Sequence, residues 1–171
     1  MLSAAESPTP NDYHHFLATG AAEVLESCGR RQDAIAGDDE LSNMARTLAM
    51  RPYLRWMAAA CASSLICGRY RLALSEGQTA LAIEPNDPAD VSLTLALTYA
   101  KLEDEEGFRA LCATADERRG QAWYGLARMA FAYKNEDYDA AKTQVTSLLE
   151  AYPNAGTTLA RQDDLPDGVY S

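Results

Sequence analysis

Hydrophobic positions recur along this chain at intervals of three and four, the spacing that gathers side chains on one face of an α-helix. Phe16, Leu17, Ala21, Val24 and Leu25 predict a first helix, capped by Asn11 or Asp12 and ending near Cys28-Gly29. Residues 29–37 read as a connection. Leu41, Met44, Ala45 and Leu48 share one face of a shorter second helix. Pro52 suits the first turn of another, over residues 53–66, which Gly68 ends. Further helices are predicted over residues 70–83, 89–101, 105–114, 121–133 and 137–151. Glu84-Pro85-Asn86-Asp87-Pro88 forms a turn that no helix crosses intact, and Pro153-Asn154 stops the last helix. No stretch alternates apolar and polar residues over strand length, so the fold class is all-α.

A long-range echo overlies this pattern. Tyr70, Ala73, Leu81, Pro85 and Asn86 are matched by Tyr138, Ala141, Leu149, Pro153 and Asn154, always 68 residues later. That is two periods of 34, the length of a helix–turn–helix repeat. Tyr70, Ala73, Gly77 and Ala80 form one stripe of mostly small residues, which lets two helix axes approach closely. On these residues the chain resembles the tetratricopeptide repeat family. Ala60-Cys61, Leu95-Ala96 and Leu126-Ala127 then stand at the family's Leu-Gly pair, Tyr99 at its tyrosine and Trp123 at its tryptophan. Arg51-Pro52-Tyr53-Leu54-Arg55 and Gly68-Arg69-Tyr70 also resemble a group of bacterial tetratricopeptide proteins. The middle unit departs from the pattern, with Phe108 and Cys112 where small and aromatic residues are expected.

The resemblance implies a right-handed α-α superhelix with N-terminal capping helices. Residues 1–10 read as a flexible arm, 11–51 as N-terminal helices (a degenerate repeat or a cap), 52–154 as three repeat units and 155–171 as an irregular tail. It also implies a concave groove built from the first helix of each unit. Carried over position by position, the lining is Arg55, Ala58, Ala62 and Leu65, then Asp90, Leu93, Leu97 and Ala100, then Gln121, Tyr124, Arg128 and Phe131. The family's carboxylate-clamping lysines and asparagines are replaced here by alanine and leucine. Such a groove suits an extended peptide or an amphipathic helix, with arginine pairing a carboxylate. Other occupants are the tail, through Leu159, Leu165, Val169 and Tyr170, the first helix around Phe16, or a second copy of the chain.

Composition narrows the function without naming a partner. Of 171 residues 47% are hydrophobic and 23% charged, the balance of a folded globular chain. No apolar run approaches membrane-spanning length, so no membrane is expected. The net charge of −10 opposes binding to a phosphate backbone, so no nucleic acid is expected. No basic-then-apolar leader follows Met1, and a cytoplasmic location is expected. Cys28, Cys61, Cys67 and Cys112 form no C-x-x-C pair and read as small reduced side chains. The acid groups Asp38-Asp39-Glu40 and Asp104-Glu105-Glu106 fall where helices begin and read as caps. His14 and His15 are the only histidines, adjacent on a helix and so about 100° apart; both are expected at the surface. No serine-hydrolase elbow, phosphate loop or metal spacing is present. The expected function is therefore a non-enzymatic protein- or peptide-binding module without cofactor, with possible homodimerisation; the alternative is a small acidic chaperone for a secreted or aggregation-prone client.

Overall fold

The computed structural model describes residues 9–114 and 121–160, without the side chains of 158 and 159, and every described secondary-structure element is an α-helix. The helices are α1 (Pro10–Asp33), α2 (Glu40–Ile66), α3 (Tyr70–Ile83), α4 (Val91–Leu102), α5 (Glu105–Thr114), α6 (Ala122–Lys134), α7 (Tyr138–Ala151) and α8 (Ala155–Ala160). They fall into two compact units, residues 1–91 and 92–171.

In the first unit α2 packs against both α1 and α3. The Thr9 hydroxyl caps α1 by accepting the Asp12 N–H, and the Asp39 carboxylate caps α2 by accepting the Ser42 N–H. Two expected breaks are absent. α1 passes through Gly29 to Asp33, and α2 runs unbroken through Pro52, so the boundary drawn between residues 51 and 52 falls inside a helix. A proline inside a helix costs about 3 kcal/mol. Packing on both sides of it offsets that cost: Met50, Tyr53, Leu54 and Met57 are all buried. Cross-links to α1 span the same length of α2. Gln32 Nε2 donates to the Arg46 carbonyl at 3.2 Å, and Trp56 Nε1 donates to the Leu17 carbonyl at 2.8 Å. Of the expected stripe of α3, Ala73, Gly77 and Ala80 are buried and Tyr70 is half-buried. There the Cys61 Sγ–H donates to the Ala73 carbonyl at 3.2 Å.

The second unit has its core on Leu95, Ala96 and Tyr99 of α4, Phe108 and Leu111 of α5, Tyr124, Ala127 and Phe131 of α6, and Ala141 and Leu148 of α7. The Phe108 ring centre lies 6.2 Å from that of Tyr124 and 5.2 Å from that of Phe131. Its place in this aromatic cluster accounts for a large residue where the repeat pattern calls for a small one. Asp104 Oδ1 caps α5 by accepting the Gly107 N–H at 2.8 Å. Residues 155–160, expected as irregular tail, form α8; the remainder of that tail and most of the N-terminal arm lie outside the described residues.

Three helix–helix connections share one backbone design. Between α2 and α3 the Gly68 N–H donates to Leu65 and the Arg69 N–H to Ser64. Between α4 and α5 the Glu103 N–H donates to Ala100 and the Asp104 N–H to Tyr99; between α6 and α7 the Glu136 N–H donates to Tyr133 and the Asp137 N–H to Ala132. Each turns on one left-handed residue: Gly68 (φ 73°), Glu103 (φ 59°) or Glu136 (φ 61°). α3 and α7 also begin on Tyr70 and Tyr138 and are both 14 residues long. The sequence echo is thus a repeat of local structure. It does not extend to burial of the two tyrosines: Tyr70 is half-buried, whereas Tyr138 is 60% exposed and leans edge-on against Tyr133.

Candidate functional site

An apolar groove of about 580 Å³ opens between α1 and α2. Tyr13, Phe16, Leu17 and Val24 line it from α1; Leu48, Arg51, Pro52, Arg55, Trp56 and Ala59 line it from α2. That volume is within the range of binding cavities for small ligands and side-chain anchors. A second hollow of about 270 Å³ adjoins it at Val24 and Pro52 and reaches Glu23, Ser27, Cys28 and Arg31.

Helical spacing builds the α2 wall. At 100° per residue, Leu48, Pro52 and Ala59 fall on one line, with Arg51 and Arg55 one turn apart on one flank and Trp56 on the other, toward α1. The indole is fixed by its bond to the Leu17 carbonyl and by Phe16, whose ring centre is 5.3 Å away. Gly20 makes room for it: a Cβ there would fall 2.6 Å from Trp56 Cζ2.

Among the described residues, Arg51 and Arg55 are the charged ones lining the larger cavity. Both are exposed, and neither forms a salt bridge or side-chain hydrogen bond among the described residues. Arg46, nearby on α2, is by contrast engaged, donating to the Ile35 and Gly37 carbonyls and to Asn43, with Asp38 at 3.7 Å. Toward the N-terminus of α2 the apolar line continues through Leu41 and Met44. Leu41 is 75% exposed, Met44 57% and Leu48 45%.

The residues assigned by repeat position are distributed differently. Arg55 is on the rim of this groove, and Ala58, Ala62 and Leu65 are half-buried on α2. Asp90 is exposed in a left-handed conformation just before α4; Leu93 and Leu97 are half-buried on α4, and Ala100 is buried. Gln121 occupies the N-cap position of α6, and Arg128 is half-buried. Tyr124 and Phe131 are corrected from groove to core: both are buried in the aromatic cluster around Phe108.

The expectation for His14 is also overturned, because it is buried while His15 is exposed. Ser64 joins α1 to α3. Its hydroxyl donates to Glu76 Oε2 at 2.6 Å and lies 3.3 Å from His14 Nδ1. The single hydroxyl proton goes to the carboxylate, so His14 meets Ser64 as the Nδ1–H donor. Burial, then the Arg69 and His15 charges, lower the His14 pKa below 6.5. Burial raises the Glu76 pKa above 4.5 against the opposing pull of Ser64 and Arg69. The buried Cys61 thiol is pushed up to about 12 by burial first and by the Glu76 charge second, which leaves it protonated and unreactive. All four cysteines are free. This polar knot ties three helices together. Ser64 is fully buried and gives its proton away from the imidazole, so the trio is not arranged to activate a nucleophile.

Among the described residues no three His, Cys, Asp or Glu side chains gather to hold a metal ion, and no helix is long and apolar enough to cross a membrane. The described residues are thus all-helical or in connections between helices, with an arginine-flanked apolar groove in the first unit. No family model, curated protein or solved structure matches it.

Proposed function

We propose that this chain is a non-enzymatic interaction module, an array of tetratricopeptide-like hairpins that holds a segment of another protein. The observation that carries the reading is the α1–α2 groove: aromatic, concave, flanked by two unpaired arginines and continued by an exposed apolar line. The thrice-repeated connection, with its left-handed residue at Gly68, Glu103 and Glu136, supports the repeat architecture. The binding surface differs from the one implied by repeat positions, because Tyr124 and Phe131 are spent on the core while Leu41, Met44 and Leu48 remain exposed.

The test is site-specific photo-crosslinking in cells that make the protein. A benzophenone side chain at Leu48 is expected to give a discrete adduct of higher mass, and one at Thr79, exposed on α3, is expected to give none. Equal adducts from both positions, or none from Leu48, rejects the reading. The exposed Leu41–Met44–Leu48 line also favours a chaperone that shields an aggregation-prone client. A one-to-one complex whose client precipitates without this chain distinguishes that use.

A further inference from the structure

We infer that the occupant of the α1–α2 groove is an acidic amphipathic helix of a partner protein. This rests on the reading of the chain as an interaction module and adds the partner's chemistry. Three observations carry it.

The first is shape. Leu41, Leu48, Pro52 and Ala59 lie nearly in line along α2. From Leu41 to Arg55 the surface is about 21 Å long at 1.5 Å per residue, the length of a helix of about 14 residues.

The second is hydrogen bonding. Both walls are α-helices whose backbone groups, apart from the Leu48 carbonyl that Pro52 leaves without its helical donor, are paired within their own helices, so the groove has no open main-chain edge. An extended peptide buried there would leave its own N–H and C=O groups unpaired. A helix brings its backbone bonds with it and needs only side-chain contacts.

The third is charge. Arg51 and Arg55 are spaced i and i+4 on one flank of the apolar line, unpaired, in a chain of net charge −10. Two carboxylates one turn apart on a docked helix meet two guanidiniums one turn apart on α2. Acids elsewhere on this chain count little at that contact, since physiological salt screens charge beyond about 8 Å. The arginines therefore set the partner's register, while Trp56, Phe16 and Leu48 supply the apolar contact.

The experiment uses the full chain with Trp123→Phe, which leaves Trp56 as its one tryptophan. Two capped synthetic helices share the same leucine stripe; one carries glutamate at its polar positions and the other lysine. The glutamate peptide is expected to shift Trp56 emission saturably at micromolar concentration, with the lysine peptide about tenfold weaker or more. The double variant R51E/R55E, folded by its melting transition, is expected to reverse that order. Equal binding of both peptides, or no reversal, overturns the acidic partner and leaves the module reading in place. No binding of either peptide, with a Leu48 crosslink still formed, overturns the helical occupant alone; loss of the crosslink as well removes both. Self-association that Leu48→Asp abolishes makes the occupant a second copy and overturns the proposal.

Discussion

The two halves of α2 differ sharply in burial. Past Pro52 the helix is held between α1 and α3, and Tyr53, Leu54, Met57, Ala60, Cys61, Ser63 and Ser64 are all buried. Before it, Leu41, Met44 and Leu48 are exposed, and only Met50 is buried. The hydrophobic pattern is similar in both halves, so apolar periodicity alone does not say whether a face is core. What separates them is whether a second helix is available to cover the face. Among the described residues no second helix covers the apolar face of the first half, which leaves Leu41, Met44 and Leu48 exposed.

The largest expected contrast is between one leucine from each half. Leu54 is almost fully buried, and Leu54→Ala is expected to cost about 3 kcal/mol in urea unfolding. Leu41→Ala is expected to stay within about 0.5 kcal/mol of the parent. Similar losses for both would mean the first half of α2 is covered after all.

Pro52 itself sharpens the comparison. As an interior residue it removes the bond to the Leu48 carbonyl, so Pro52→Ala is expected to stabilise the fold by about 2 kcal/mol. Were Pro52 the first residue of a separate helix, as its sequence context predicts, the exchange would gain nothing. Within the covered half, Ala73→Leu is expected to overpack the α2–α3 contact beside Cys61 and cost about 1–3 kcal/mol. An unchanged urea midpoint would place Ala73 away from that contact.

The polar knot in the covered half gives a pH signature. His14 has a lowered pKa, so below about 6.5 the unfolded chain binds a proton that the folded one refuses. Stability is therefore fully present above that value and falls as pH drops through it, by at most about 1.4 kcal/mol per pH unit. Glu76 works the other way. Its pKa is raised above 4.5, so the folded state takes up a proton first and regains stability as pH falls through that raised value. The charges facing His14 are Arg69, beside α3, and His15 on α1, with Glu76 reached through Ser64. His14→Gln is expected to flatten the decline between pH 7.5 and 5.5; an unchanged slope would assign it elsewhere.

Much of the helix inventory is legible in the amino-acid sequence. The predicted spans at residues 70–83 and 105–114 coincide with α3 and α5, because Gly68, the Glu84–Pro88 turn and Asp104 mark real ends. Acids at Asp39 and Asp104 cap helices as their positions suggest. The first unit departs from its local pattern where glycine and proline do not punctuate: Gly29 and Pro52 are carried through by packing between residues some 40 apart, such as Leu17 and Trp56. The same long-range packing hides the groove from local pattern. Its α2 wall repeats at helical spacing from Leu48 to Ala59, but only if Pro52 is read as helical, and its α1 wall adds Phe16 from a distant segment. The burial of His14 is equally illegible locally, because its partners, Ser64 and Glu76, lie on other helices.

The smallest expected effect lies at the repeated connection. Gly68 and Glu136 occupy the same left-handed position, 68 residues apart, with matching hydrogen bonds on either side. A side chain costs about 1 kcal/mol in that conformation, and glycine avoids the clash but gives the unfolded chain more freedom. The net expectation for Glu136→Gly is a gain of about 0.5 kcal/mol, and for Gly68→Ala a loss of about 1 kcal/mol. Glu136 is exposed, and no side-chain contact competes with the backbone term. Urea midpoints of the two variants should therefore move in opposite directions. If both fall, the two connections are not energetically equivalent, and the echo between the halves of the chain is one of backbone shape without shared strain.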